Sequence, residues 1–175
     1  MGYDLPAAIG ACFAKNKEEI ICITGDGSIQ MNLQELQTIV FHKLPVKIFL
    51  INNQGYHSMR QTENNLFPGM SKIGIGPESG DLSFPNMKKI ANAYGIDYYS
   101  IQNNTELCKT LICILSKEGP FICELFADTN QKFEPKNATK RLPDGRLVSP
   151  PLEDLAPFLP REELKRNMII PLVEE

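Results

Sequence analysis

The chain has 175 residues, with 18 lysine and arginine residues against 21 aspartate and glutamate residues, for a formal net charge of −3. A hydrophobic content of 42% with 22% charged residues is typical of a globular domain and excludes a disordered or fibrous chain. The slight acidity argues against a nucleic-acid partner, and no apolar run reaches the roughly 20 residues of a membrane-spanning helix. We therefore expect a globular domain with neither nucleic acid nor membrane as its partner.

The cysteines indicate a compartment. There are five, none of them in a C-x-x-C pair, and each lies in an apolar run. We interpret them as buried free thiols rather than as zinc ligands or disulfides. The first residues also lack the basic and apolar regions of a secretory signal. Both observations predict a reducing, cytoplasmic location.

Helix and strand patterns alternate in the first part of the chain. Asp4 is a candidate N-cap for a thin, alanine-rich helix. The apolar runs at 20–24 and 46–51 are typical of strands buried on both faces. Between them, Asn32 and Glu35 have the spacing of a capping box, which predicts that a helix begins there. Strand, helix and strand in this order predict a parallel βαβ unit.

A glycine- and proline-rich stretch follows. Residues 64–85 predict a long irregular loop with little burial, of the kind that is often functional. The pattern then returns to alternation, with a helix near 87–94 and a strand near 96–101. Asn103 is expected to cap the next helix, and residues 121–126 form the last predicted strand.

This order of elements predicts an α/β fold with an open, mostly parallel sheet and helices on both faces. We assign residues 1–128 to this domain. Prolines interrupt every element from residue 129 onward, apart from one possible helical turn near 162–165. Residues 129–175 are therefore predicted to be an extended, proline-rich tail that packs on the domain.

Polar residues follow both predicted strands of the βαβ unit. Residues 25–28 read Gly-Asp-Gly-Ser, which taken alone is consistent with a tight turn. The two glycines also permit close approach of backbone N–H groups to an anion, and Ser28 adds a hydroxyl group. Asn53 follows the second strand, so its amide oxygen and the Asp26 carboxylate would reach one cation if the strands are neighbours. Such oxygen ligands suit Mg²⁺ better than zinc, and diphosphate oxygens would complete an octahedron.

These segments resemble those of a known family. Gly-Asp-Gly-Ser at 25–28 and Asn-Asn at 52–53 resemble the GDG…NN motif of thiamine-diphosphate-dependent enzymes. The segment MGYDLPAAIGA at 1–11 and the turn at 53–56 are similar to the acetolactate synthase-like branch. The similarity extends to about residue 128. It implies a Rossmann-like domain that binds thiamine diphosphate and Mg²⁺, at the C-terminus of a longer enzyme.

The resemblance implies a metal and diphosphate site. Asp26 and Asn53 would be side-chain ligands of Mg²⁺, and the carbonyl of Gly55 would be a third ligand. The residues that the resemblance places at the cofactor's diphosphate or metal turn are Gly25, Asp26, Gly27, Ser28, Asn53, Gly55 and Tyr56.

Other residues receive roles from the same resemblance. Met1 would lie where the family places a bulky residue beneath the cofactor. Tyr56 and His57 are candidates for the substrate pocket, although a hydrogen-bonded loop histidine is the alternative interpretation of His57. We interpret His42 as structural.

The resemblance places the activating glutamate in a separate pyrimidine-binding domain of the same or another chain. Glu35 and Glu63 are not candidates for that role, so no catalytic residue is expected in this sequence. The first strand and helix of the family's domain are missing from the similarity. We therefore expect a fragment of a larger enzyme, inactive by itself, that assembles as a homo-oligomer, a dimer or a tetramer.

The leading hypothesis is a cofactor-binding module of a carboligase or decarboxylase, thus a transferase or lyase, that acts on a 2-oxo acid such as pyruvate. Residues from 130 onward do not match an acetolactate synthase ending. Acetolactate formation and two-carbon transfer to a keto-sugar therefore remain equal alternatives. A binding or assembly module without turnover is another alternative. A phosphohydrolase that uses Asp26 as nucleophile is disfavoured, because no second aspartate lies nearby.

Overall fold

The computed structural model describes residues 1–172. The chain forms two compact units, one of residues Met1–Gln131 and one from Lys132 onward. The first unit contains a four-stranded sheet and the helices that pack on it. Within the described residues, no helix combines the length and the apolar character needed to cross a membrane.

The sheet is entirely parallel, with the strand order β1-β2-β4-β3. Its strands are β1 (Ile20–Gly25), β2 (Val46–Asn52), β3 (Asp97–Ile101) and β4 (Phe121–Phe126). The helices of this unit are α1 (Asp4–Ala14), α2 (Asp26–Ile29), α3 (Glu35–His42), α4 (His57–Leu66), α5 (Met87–Tyr94) and α6 (Asn104–Leu115). Short 3₁₀ helices lie at Gln30–Asn32 and Pro77–Ser79. The predicted α/β class and parallel sheet are confirmed.

The βαβ unit between the first two strands is also confirmed. Ile20 pairs with Val46 at one end of the β1–β2 ladder, and Gly25 pairs with Ile51 at the other. Since the two strands run in the same direction, the residues that follow each strand emerge at the same edge of the sheet. The segments that begin at residues 26 and 53 are therefore neighbours.

Helices cover both faces of the sheet. On one face, α1, α3 and α5 pack against the sheet in one core, which includes Ile48 and Leu50 of β2. On the other face, α6 packs against Phe49, Phe121 and Cys123 in a second core. Because side chains alternate along a strand, neighbouring residues of β2 enter different cores. Asn103 caps α6 as predicted, with its side-chain oxygen accepting a hydrogen bond from the backbone N–H of Glu106.

The prediction that β1 is buried on both faces is wrong. Ile21 is 55% exposed and Ile23 is 70% exposed, whereas Cys22 between them is buried. β1 lies at one edge of the sheet, and α6 packs over β3 and β4 at the other edge. Only the face that α1 covers is therefore buried at β1.

Two predicted helix caps are also wrong. Asp4 is the first residue of α1 rather than its N-cap, and its carboxylate accepts hydrogen bonds from the hydroxyl groups of Thr24 and Ser28. Asn32 ends a 3₁₀ helix, and α3 begins three residues later at Glu35. The Asn32 side-chain oxygen, which a cap would use, accepts a 3.0 Å hydrogen bond from the Gln34 side chain, and its NH₂ group donates to the carbonyl of Gly2. The side chains of Asp4 and Asn32 both also form a hydrogen bond to a residue distant in sequence, which local spacing could not predict.

The loop predicted at 64–85 is shorter and better packed than expected. α4 extends to Leu66 and was not predicted, because its sequence HSMRQTENNL has no apolar stripe of helical period. Ile75 within the loop is fully buried, although the glycine and proline content predicted little burial. Residues 74–76 thus form part of the packed structure of the first unit.

The second unit has regular elements of its own. A short antiparallel hairpin pairs β5 (Lys140–Arg141) with β6 (Leu147–Val148), and α7 spans Arg161–Asn167. The helical turn expected near 162–165 is part of α7, and the hairpin was not predicted. The domain boundary at residue 128 and the packing of the tail on the domain stay predictions.

Candidate functional site

The candidate site lies at the carboxyl ends of β1 and β2. Gly25 is the last residue of β1 and, in an extended conformation, precedes the short helix α2. The Gly-Asp-Gly-Ser segment therefore turns directly from strand to helix rather than forming a separate loop. Asp26, the first residue of α2, is 4% exposed. A carboxylate is thus buried at the edge of the sheet where open α/β folds bind their ligands.

Backbone N–H groups hold the Asp26 carboxylate. Its Oδ1 atom accepts a 2.8 Å hydrogen bond from Gly27, and its Oδ2 atom accepts a 3.0 Å bond from Gly55. Burial raises the pKa of the Asp26 carboxyl group, and these N–H groups oppose that shift because they stabilise the ionised form. The bond to Gly55 also joins the end of β1 to the turn after β2.

That turn has an unusual backbone. Gln54 has a φ of 56°, in the left-handed region, and Gly55 has a φ of 135°. The side-chain oxygen of Asn52 accepts a 3.1 Å hydrogen bond from the Gln54 N–H and supports this conformation. The Tyr56 N–H donates a 2.7 Å bond to the carbonyl of Ile75. The loop around Ile75 is therefore joined to the turn after β2 by a hydrogen bond between backbone groups.

Arg60 of α4 contacts the same turn, and sequence reasoning missed it. Its guanidinium donates to the carbonyls of Asn53 and Gln54, at 3.1 and 2.8 Å, and to a carboxylate oxygen of Glu78 at 2.7 Å. Nη1 also lies 3.1 Å from Nδ1 of His57, which must accept because a guanidinium only donates. In the sequence, the only indication was an arginine shortly after the Asn-Asn motif at 52–53, and that alone does not assign a role.

Tyr56 packs against the glycine of α2. A Cβ atom on Gly27 would lie 2.4 Å from Cε1 of the Tyr56 ring, so only glycine permits this contact. The ring also meets Phe84 edge to face, with 5.9 Å between centroids. Position 27 therefore requires glycine because the Tyr56 ring packs against it in the tertiary structure.

The N-terminal segment reaches the site through Ser28. The Gly2 N–H donates a 2.9 Å hydrogen bond to Ser28 Oγ, and Ser28 in turn donates to Asp4. Met1 itself is 75% exposed. The segment at 1–4 is thus tied to α2.

A second buried carboxylate lies near Asp26. Glu124, in the middle of β4, is 6% exposed and accepts hydrogen bonds from the Asn52 amide at 2.6 Å and from the Tyr98 hydroxyl. Burial, followed by this hydrogen bond, raises the pKa of Tyr98. Asp26 and Glu124 both line a cavity of about 150 Å³. Its other lining residues are Gln30, Leu50, Asn52, Gln54, Pro77, Phe84, Pro85 and Met87. Glu124 was missed, although a glutamate inside an apolar strand was a visible signal.

The structure places the predicted site residues as follows. Asp26, Gly27, Gly55 and Tyr56 contact one another directly. Asn53 follows β2 in the turn beside them, and the convergence of its side chain with Asp26 stays a prediction. His57 is buried and contacts Arg60, as in the alternative interpretation of a hydrogen-bonded histidine, and its role in a substrate pocket stays untested.

The remaining histidine has a packing role. The ring of His42 meets Phe13 and Phe41 edge to face, with centroid distances of 5.2 and 4.8 Å. This arrangement at the end of α3 agrees with the structural interpretation of His42.

Comparison with known proteins identifies the family of this domain. Residues 1–125 match the family described as thiamine pyrophosphate enzyme, C-terminal TPP binding domain. The acetolactate synthase large subunit of Cyanidium caldarium is 38% identical over 138 residues, which cover 77% of this chain and 22% of that protein. The acetolactate synthase isozyme 2 large subunit of Escherichia coli K12 is 33% identical over 156 residues, 89% of this chain and 27% of that protein.

The fold is also found among solved structures. A thiamine diphosphate-dependent 4-hydroxybenzoylformate decarboxylase of Rhodococcus jostii RHA1 superposes with a TM-score of 0.64 at 24% identity. The similarity covers 75% of this chain and 24% of that one. The chain thus spans about a quarter of the length of the curated relatives described above, 22% and 27% respectively. The chain belongs to the family of C-terminal thiamine pyrophosphate-binding domains of thiamine pyrophosphate enzymes.

Proposed function

We propose that this domain binds the diphosphate end of thiamine diphosphate together with Mg²⁺, through the Asp26 carboxylate. The observation that carries the proposal is the burial of this carboxylate at the carboxyl ends of two parallel strands. Burial raises its pKa, and a divalent cation would supply the charge that keeps a buried carboxylate ionised. The residues present therefore fit a hard cation.

The turn after β2 would supply the other protein ligands. The Asn53 amide oxygen and the Gly55 carbonyl are hard oxygen donors of the type that Mg²⁺ prefers. The Gly55 carbonyl accepts a 3.0 Å hydrogen bond from the His57 N–H, which leaves a second lone pair for a cation. Residues expected to lie along the cofactor are Met1, Gly25, Gly27, Ser28 and Tyr56.

We propose that the whole protein is a carboligase or decarboxylase that acts on a 2-oxo acid such as pyruvate. The acetolactate synthases among its relatives support this proposal. Thiamine diphosphate, when bound, stabilises the carbanion that forms at the keto carbon of such a substrate. The residues of this chain position the cofactor's diphosphate and metal. The pyrimidine-binding domain, with its activating glutamate, would come from another part of the protein or from another subunit.

Assembly and location are part of the same proposal. Ile21 and Ile23 form an exposed apolar strip on β1, which supports assembly with a second copy of the domain. Sedimentation of the wild type and of Ile23→Lys tests this, since the charge should shift the equilibrium toward monomer. All five cysteines are free thiols, although Cys108 and Cys113 are exposed rather than buried as expected. Free thiols support a reducing, cytoplasmic location.

Titration calorimetry with thiamine diphosphate, with and without Mg²⁺, tests the binding proposal. The wild type should bind only when Mg²⁺ is present, and Asp26→Asn should weaken binding by more than about tenfold, as loss of groups around a metal does. Asp144→Asn is the matched control, because Asp144 is an exposed residue of the second unit. Wild-type binding that does not depend on Mg²⁺, or equal affinities of the two variants, would refute the proposal. Hydrolysis of a phosphate ester would favour a phosphohydrolase instead.

A further inference from the structure

We propose that Arg60 is a positioning residue that sets the backbone of the turn at 53–55, and that Glu78 orients Arg60. The inference rests on the proposed function, because it assigns to this turn the second and third ligands of Mg²⁺. Arg60 itself would touch neither the metal nor the cofactor. Its effect would pass through two backbone carbonyls.

The first step is the geometry of the guanidinium. Arg60 is 4% exposed, and three of its nitrogens each donate to a different acceptor. Nη1 donates to the Asn53 carbonyl, Nη2 donates to the Gln54 carbonyl, and Nε donates to Glu78. Because the guanidinium is rigid and planar, these three bonds fix the relative positions of their acceptors. A flexible ammonium group at the same place could not fix all three.

The second step concerns a single peptide group. The Gln54 carbonyl accepts from Arg60 at 2.8 Å, and the N–H of the same peptide, which belongs to Gly55, donates to Asp26 at 3.0 Å. In a trans peptide the carbonyl and the N–H point in opposite directions. Arg60 and Asp26 therefore bind opposite edges of the Gln54–Gly55 peptide group, one at its carbonyl and the other at its N–H. Rotation of that plane would move the Gly55 carbonyl and the Asn53 side chain that flank it.

The third step is that the turn needs such support. Gln54 has a left-handed conformation, with a φ of 56°, that costs a non-glycine residue free energy. The bonds from Arg60 to the carbonyls of residues 53 and 54 lie on either side of this residue. Arg60 therefore stabilises the backbone conformation of the turn that carries the proposed ligands at 53 and 55.

The fourth step connects the loop to the turn. Glu78 contacts Arg60 and also forms an ion pair with Lys72, so the loop segment 72–78 closes on Arg60. The same segment accepts the Tyr56 N–H at the carbonyl of Ile75. Substitution of Glu78 should thus affect the turn through the orientation of Arg60. A Glu78 variant should show the same changes as an Arg60 variant, but smaller ones.

Amide hydrogen exchange of the ligand-free protein tests the positioning directly. Arg60→Gln should raise the exchange rates of the Gly55 and Tyr56 amides by at least about tenfold relative to wild type, since their partners depend on the turn. The amide of Leu50 in β2 should stay protected, which would show that the sheet is folded. Arg60→Lys should fail to restore slow exchange, because it keeps the charge but lacks the planar fork.

A Mg²⁺ titration at fixed thiamine diphosphate provides the second readout. Arg60→Gln should need about 10- to 100-fold more Mg²⁺ to reach the same maximal binding. Glu78→Gln should show a smaller shift, and the double variant should be no worse than Arg60→Gln, because the two residues act in series. Arg146→Gln is the matched control, since this arginine is exposed in the second unit and pairs with Asp144.

The outcomes separate this inference from the proposed function. Wild-type exchange at residues 55 and 56 in Arg60→Gln, or full rescue by Arg60→Lys, would overturn the positioning role. If wild type does not bind thiamine diphosphate with Mg²⁺, the proposed function fails, and the exchange rates alone decide the role of Arg60. If Arg60→Gln does not fold, Glu78→Gln decides it. That variant must raise exchange at residues 55 and 56 for the inference to stand.

Discussion

Gly55 and Ile75 approach each other so closely that no side chain fits between them. A Cβ atom on Gly55 would lie 2.1 Å from the carbonyl oxygen of Ile75, and Gly55 also has a φ of 135°. The same oxygen accepts the 2.7 Å hydrogen bond from the Tyr56 N–H. The contact between the loop and the turn therefore depends on a glycine at this position, for both space and backbone conformation.

We expect Gly55→Ala to lower the free energy of unfolding by about 1–3 kcal/mol or more, because the backbone must move and the φ is unfavourable for alanine. It should also weaken Mg²⁺-dependent binding of thiamine diphosphate. Urea unfolding and calorimetry measure the two effects. Gly10→Ala is the matched control, because no atom lies within 4 Å of its added Cβ in α1. It should stabilise the helix by up to about 1 kcal/mol. A harmless Gly55→Ala would contradict the packing argument.

Lys47 should support the fold without affecting the site. Its side chain is fully buried near the start of β2, and its ammonium donates to the carbonyls of Lys117 and Gly119, the latter at 2.8 Å. We expect Lys47→Met to cost about 1–3 kcal/mol for each carbonyl left without a partner. Affinity for thiamine diphosphate and Mg²⁺ should not change, because the site lies at the other end of the strand.

Chemical denaturation and calorimetry on the same preparation test that separation. Lys15→Met provides the control, since the Lys15–Glu18 pair is exposed and should contribute less than about 1 kcal/mol. If the Lys47→Met variant is fully folded but binds the cofactor more weakly, our conclusion that Lys47 does not influence the site is wrong.

The second unit should become less stable in acid because Asp154 becomes protonated. Its carboxylate is buried and accepts two bonds from Arg161, at 2.7 and 2.8 Å, which hold the pKa of Asp154 below its usual value. A lowered pKa stabilises the folded state above the ordinary aspartate pKa, and this stabilisation is lost as the pH falls through the lower, folded-state value. Asp154→Asn should therefore cost about 1–3 kcal/mol near neutral pH.

That cost should shrink below about pH 4, the ordinary range of an aspartate. Unfolding curves of the wild type and Asp154→Asn at a series of pH values measure the difference. Asp144→Asn, which removes an exposed carboxylate that also pairs with an arginine, should leave stability unchanged. A cost for Asp154→Asn that is constant with pH would mean that the ion pair does not account for it.

The 175-residue chain by itself should not release carbon dioxide from pyruvate, even with thiamine diphosphate and Mg²⁺. The proposed activating glutamate belongs to a pyrimidine-binding domain, and loss of a general acid–base group typically costs roughly 10²- to 10⁴-fold in rate. Carbon dioxide release is measured beside an Asp26→Ala variant. Turnover that is clear in the wild type and absent from the variant would show that this chain is a complete enzyme.

The sequence by itself determined the features that depend on local pattern. Mostly apolar runs predicted β2 and β4, and polar spacing predicted the cap of α6 at Asn103. The βαβ order placed residues 26 and 53 at one edge of the sheet, because parallel strands joined by a helix leave their carboxyl ends together. The Gly-Asp-Gly-Ser and Asn-Asn motifs then indicated the family. These predictions succeeded because each depends on a local pattern or on the order of consecutive elements.

Only the tertiary structure decided which polar residues hold the turn and which apolar residues are covered. Arg60 of α4 contacts the turn, and Glu124 of β4 contacts Asn52 at the end of β2. Neither segment shows these contacts by its own sequence pattern. Asn32 does not act as the predicted cap, and its side-chain NH₂ group donates a hydrogen bond to the distant Gly2 carbonyl instead. Ile23 resembles a core residue by type but is exposed, since burial depends on which helix lies over the strand. Contacts between distant residues, each worth only about 1 kcal/mol, outweigh local preferences of similar size.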